Sequence, residues 1–105
     1  MKTLFIALLL ISSTANAKTQ LDCELYADVM RGAAEWRNAG QPPEGPLNVE
    51  LNGRYKGVTE SDPVLKDLKF MINSVYFDDQ LKSMSPPAIY SAVYNKCIGE
   101  LRGQK

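Results

Sequence analysis

The sequence contains no histidine, a single tryptophan and only two cysteines. Without an imidazole there is no Ser-His or Cys-His nucleophile pair, and the commonest side-chain ligand of transition metals is missing. Cys23 and Cys97 stand far apart rather than in a C-x-x-C arrangement, which disfavours a redox-active dithiol and a thiolate zinc site. Long apolar runs are scarce as well. The stretch at 4–11 falls short of the ~20 residues that a membrane helix needs. Neither sign of charge predominates, with 12 basic and 12 acidic side chains in 105 residues. Nothing in that balance attracts nucleic acid or an anionic membrane.

What the N-terminus does contain has the grammar of a secretory signal. Lys2 supplies a positive start, the apolar stretch follows, and Ser12, Ser13 and Thr14 interrupt it before Ala15-Asn16-Ala17. That small-residue pattern is an A-x-A-like cleavage site, so residues 1–17 read as a cleavable signal peptide. Lys18 rather than a cysteine follows the cut, which disfavours a lipid anchor. The expected product is a single domain of 88 residues, 18–105, periplasmic or secreted, without stable membrane insertion after cleavage. Losing Lys2 leaves eleven basic and twelve acidic side chains, a net charge near −1.

A chain this short buries only about 60–65% of its unfolded surface, so its stability margin is thin. In an oxidising compartment an even cysteine pair favours a disulfide, the alternative being two separately buried thiols. Closing a loop of 74 positions between Cys23 and Cys97 contributes about 4 kcal/mol in the chain-entropy model. That is comparable with the whole stability of such a domain.

The periodicity of the mature chain is helical. Leu25, Val29 and Ala33 recur at i+4 with Tyr26, Met30 and Ala34 beside them, and Gly40, Pro42 and Pro43 stop the run, which predicts a helix over 21–39. Three prolines and a glycine at 41–46 predict an extended, partly stiffened loop. Residues 47–59 alternate like a strand and also repeat at four, through Leu47, Leu51 and Tyr55. With no obvious partner for a lone strand, a short helix followed by a loop is the preferred reading.

Asp62-Pro63 is a helix start; Val64, Leu68, Met71 or Ile72, and Val75 line one face, extended by Leu65, Ile72 and Tyr76, to about Phe77. Asp78, Asp79 and Gln80 form a polar turn. Ser85-Pro86 opens the last helix, with Met84 placed to staple onto Ile89 and with Ile89, Val93 and Cys97 in one row. A Cys23–Cys97 bond would suit antiparallel first and last helices. The fold class is all-α, a small orthogonal or bundled set of three to four helices.

Chemistry is sparse. Asp78 and Asp79 are adjacent, but one doublet falls short of the roughly 6–8 oxygen ligands of calcium, and a solvated turn accounts for it. No cofactor or metal is expected, nor an enzyme. Most aromatic side chains, Tyr76 and Phe77 among them, read as core packing. Trp36 and Arg37 stand at the end of the first helix, and Arg54 and Tyr55 lie just beyond the proline loop. These are residue types enriched at interface hot spots, so these four make the candidate partner-binding surface.

Cys23-Glu24-Leu25-Tyr26 at the start of the first helix, and a late helix running from Pro87-Ala88-Ile89 to Cys97, resemble two groups of small periplasmic helical proteins. One is the Rap/Tai-type immunity proteins, which protect bacteria from peptidoglycan-cutting effectors of the type VI secretion system. The other is the HdeA-like acid-stress chaperones. Both resemblances imply a structural disulfide between Cys23 and Cys97. The first implies a protein partner and a preformed patch that plugs an enzyme, presented by a homodimer or a protruding loop. The second implies an assembly that loosens as carboxylates protonate.

Overall fold

The computed structural model describes residues 20–103. The expected signal peptide and cleavage site at 1–17 lie outside the described residues. Within them the chain forms four helices and no strand: α1 (Gln20–Asn38), α2 (Glu44–Asn52), α3 (Pro63–Phe77) and α4 (Pro86–Gly103).

Helix α1 runs nineteen residues without a proline, with Asp22 in its first turn and Arg37 in its last, each opposite in sign to the helix dipole there. It ends in a Schellman motif. Gly40 adopts a φ of 80°, its N–H donates to the Arg37 carbonyl at 2.9 Å, and the Gln41 N–H donates to the Trp36 carbonyl at 3.0 Å. A residue with a β-carbon would be strained at position 40.

The expected loop at 41–46 is shorter than its prolines suggest. Residues 44–46 form the first turn of α2, with Pro43 at the cap and Pro46 in the third helical position. The first N–H groups of a helix have no intrahelical acceptor, so a proline there forfeits nothing. The short-helix reading therefore holds, with the helix displaced towards the N-terminus.

Helix α3 starts as its sequence prescribes, the Asp62 carboxylate accepting from the Val64 N–H at 3.0 Å. It buries Leu65, Leu68, Met71, Ile72 and Val75. Val64, expected on the inner face, is 36% exposed, whereas Leu65, about 100° further around the helix, is buried. The turn after α3 is a structured element. Asp78 accepts from the Gln80 N–H through its carboxylate at 2.7 Å, while its carbonyl accepts from Leu81 and Lys82. This folds Leu81 into the core. Ser85 then caps α4, its hydroxyl accepting from the Ala88 N–H at 3.3 Å.

Helix α1 is the hub against which the other three pack. Its partnership with α4 is antiparallel, as three contacts along its length show. Cys23 bonds Cys97 with the Cα atoms 5.5 Å apart, the Arg31 guanidinium lies 5.3 Å from the Tyr90 ring centre, and Arg37 reaches the Met84 carbonyl. Three fully buried alanines, Ala27, Ala33 and Ala34, keep α1 slim enough for close approach on more than one side. Val29 and Met30 fill the centre, against Leu68, Ile72 and Val75 of α3 and Ile89 and Val93 of α4. No helix among the described residues is long and apolar enough to cross a membrane.

Candidate functional site

The four residues singled out from the sequence stand in three different settings. Trp36 is half-buried, its indole packed close against Gly45 of α2. A β-carbon on Gly45 would come within 2.5 Å of the ring, so glycine is what permits the approach. Beside the ring, Glu35, Ala39 and Gln41 complete a shallow depression of about 340 Å³.

Arg37 faces inward. One terminal nitrogen donates to the carbonyls of Val75 and Leu81, both at 3.0 Å, and the other donates to the Met84 carbonyl at 2.6 Å and to Asn38 Oδ1 at 3.0 Å. The Nε donates to the same Asn38 oxygen at 3.1 Å. A guanidinium has five N–H donors, and all are engaged within the chain. Arg37 is therefore a clamp on carbonyls of the last turn of α3 and of the α3–α4 connection, and each of its N–H donors is engaged within the chain.

Arg54 is also tied internally. It grips Glu50 with two bonds, at 2.7 and 3.0 Å, and reaches Asp28 of α1 at 2.9 Å. The hydrogen bond to Glu50 raises the guanidinium pKa, partly opposed by burial. Asp28 pairs in turn with Arg31, which stands over Tyr90. Tyr90 stacks on Tyr94 with ring centres 6.1 Å apart. One ribbon of charge and aromatic rings thus runs from α2 across α1 to α4. Asp28 lies two turns before Trp36, so Arg54 and Trp36 stand roughly 12 Å apart along the axis of α1.

Tyr55 lines a separate cleft of about 260 Å³ between the start of α1 and the first half of α3. Leu25, Tyr26 and Asp22 contribute from α1, and Asp67, Leu68 and Met71 from α3. Burial pushes the Tyr55 hydroxyl upward, an effect that neighbouring Arg54 opposes. Burial also raises the Asp67 carboxyl, against the pull of Lys66.

The residue that the sequence reading placed wrongly is Phe77. It packs nowhere in the core and is 65% exposed. Its ring lies 5.9 Å from that of Tyr76, whose hydroxyl donates to the Gln41 carbonyl at 2.7 Å. Gln41 also borders the Trp36 depression, so Tyr76 joins the Trp36 end of α1, with Phe77 next to it on α3. The signal was present. Phe77 follows the buried Val75 by two residues, about 200° around the helix, and so points to the opposite side.

Both cysteines are bonded, and the described residues hold no group of three or more His, Cys, Asp or Glu side chains arranged for a metal ion. Comparison of the chain with protein-family models, curated proteins and solved structures finds no match.

Proposed function

We propose that this chain is an exported, non-enzymatic, protein-binding protein of the cell envelope, whose partner is an envelope-targeting effector or lytic enzyme that it inhibits. The resemblance to the Rap/Tai-type immunity proteins supplies the class of partner. The observation that carries the reading is the aromatic end, where Phe77 is 65% exposed beside Tyr76, and the Tyr76 hydroxyl reaches Gln41 at the edge of the Trp36 depression.

A largely exposed phenylalanine at a structured helix end contributes little to folding. Aromatic rings on a rigid frame are the usual anchors of interfaces, because they bury a large area and lose little rotamer freedom. Here the frame is set by Gly45 beneath Trp36, by the Tyr76–Gln41 hydrogen bond, and by Arg37 behind the end of α3. A patch fixed before docking loses less entropy on binding.

The test uses the oxidised mature protein as bait in envelope and culture extracts, at neutral and acid pH, with a Phe77→Ala bait alongside. The expected result is one saturable partner at neutral pH, lost with Phe77→Ala, whose lytic activity the wild-type protein inhibits. Broad capture of many proteins only at acid pH would replace this reading with the HdeA-like chaperone one.

A further inference from the structure

Helix α2 ends on Asn52, and Gly53 follows it. Asparagine is one of the chemically labile side chains. Five lie among the described residues, Asn38, Asn48, Asn52, Asn73 and Asn95, and all five are exposed, so access to water does not separate them. The residue that follows does. Ala39, Val49, Ser74 and Lys96 each carry a β-carbon beside the main-chain nitrogen, whereas Gly53 leaves its nitrogen open to the preceding carboxamide.

The hydrogen bonds point the same way. Asn48, Asn73 and Asn95 stand inside helices, where the next N–H belongs to the helical ladder. The N–H after Asn38 donates to the carbonyls of Glu35 and Trp36, both at 3.1 Å, and the Asn38 carboxamide oxygen is held by Arg37. The Gly53 N–H donates to the Glu50 carbonyl at 3.2 Å, and that carbonyl also accepts from Tyr55 at 2.9 Å. Releasing the longer bond leaves the Glu50 oxygen satisfied and the Gly53 nitrogen free.

We infer that Asn52-Gly53 is a site of spontaneous modification, at which the chain turns its own carboxamide into a carboxylate and loosens α2. The Gly53 nitrogen loses its proton to base and attacks Asn52 Cγ. The new N–Cγ bond closes a cyclic imide, and the Cγ–Nδ2 bond breaks to release ammonia. One water then opens the ring. Cleavage at Cγ gives aspartate; cleavage at the main-chain carbonyl gives isoaspartate, with an extra methylene in the backbone. Either product sets a negative charge on the last residue of α2, at the negative end of the helix dipole. Isoaspartate also lengthens the chain two residues before Arg54, whose guanidinium joins Glu50 of α2 to Asp28 of α1 at 2.7 and 2.9 Å. Gly45 of the same helix packs against the Trp36 ring, so the indole senses the release. None of this depends on the protein-binding reading.

The test incubates the oxidised mature protein in mildly acidic and mildly alkaline buffer, in ordinary and heavy-oxygen water, with peptide mass spectrometry that resolves aspartate from isoaspartate. Position 52 should convert several-fold faster than any other asparagine, faster still in alkali, and should take up heavy oxygen. Gly53→Ala should slow it several-fold. A β-carbon there would lie 3.2 Å from the Val49 carbonyl oxygen, so Asn52→Gln, whose longer side chain closes its ring less readily, repeats the test with the turn untouched. In the separated isoaspartate form, amide exchange should rise more in α2 than in α3 or α4, with altered tryptophan fluorescence. Asn52→Asp, which adds the charge alone, should change both less.

Conversion at position 52 no faster than at the other asparagines, or equally fast in Gly53→Ala and Asn52→Gln, would overturn the site. An isoaspartate form whose α2 exchanges like that of the unmodified protein would overturn the loosening.

Discussion

At the scale of single residues, the side chains of most consequence are those whose polar atoms or close contacts have no substitute. Arg37 satisfies three carbonyls at once, one in the last turn of α3 and two in the α3–α4 connection. Arg37→Ala removes all three and is expected to destabilise the fold by about 2–4 kcal/mol, read as a shifted urea midpoint. Arg37→Lys, with fewer donors and no fork, should fall between. A midpoint unchanged in Arg37→Ala would return the residue to the surface. Gly45 is a second such place: Gly45→Ala drives a methyl into the Trp36 ring and should cost about 1–3 kcal/mol, with altered tryptophan fluorescence. Asp67 supplies the pH dependence. Burial raises its carboxyl, so the folded chain holds that proton to a higher pH than the unfolded chain does. Stability from this group is therefore greatest below the ordinary aspartate range and declines as pH rises through the folded value. The effect is small because water still reaches the carboxyl, and it should vanish in Asp67→Asn, seen as the difference between the two stability–pH curves.

At the scale of elements, the helices that announce themselves chemically were legible. Asp62-Pro63 and Ser85-Pro86 each place a capping oxygen before a residue with a helical φ, and α3 and α4 begin there. Helix α2 was not readable in its first turn, since Gly45 and Pro46 are loop residues by local preference. What makes them helical is tertiary, the indole of Trp36 covering a backbone with no side chain in the way. The inner face of α1 was half read. Leu25 and Tyr26 stood out as apolar, yet the fully buried positions include Cys23 and Ala27, whose small side chains contribute little to a hydrophobic pattern. Of the candidate site, Trp36 stands half-buried against Gly45 of α2, whereas Arg37 and Arg54 looked like free cations because their acceptors lie far away in sequence or on a helix whose bounds were unclear. Helix α2 is fastened to α1 by the Glu50–Arg54–Asp28 chain, with Glu50 only 8% exposed. Arg54→Ala strands that carboxylate and should loosen α2 by about 1–3 kcal/mol, with amide exchange there rising more than in α3 or α4. Uniform acceleration across all four helices would contradict a local tether.

At the scale of the whole molecule, one disulfide and one central helix hold a thin arrangement of helices together. The bond joins the start of α1 to the late part of α4 and closes a loop of 74 positions. A Cys23→Ser, Cys97→Ser variant should lose about 4 kcal/mol by the chain-entropy estimate, and equal melting temperatures would remove that role. This construction leaves two ends of α1 with contrasting surfaces, aromatic at Trp36 with Tyr76 and Phe77 at the neighbouring end of α3, and acidic with tyrosines at Tyr26 and Tyr55. The central claim is that the aromatic end binds a protein partner, and Phe77 tests it most cleanly because it lies outside the core. The decisive measurement is the affinity of the partner captured at neutral pH for wild-type protein and for Phe77→Ala, with both melting curves recorded. The account predicts binding weakened by 2 kcal/mol or more, roughly thirtyfold, at an unchanged melting temperature. Equal affinity for the two proteins would contradict it.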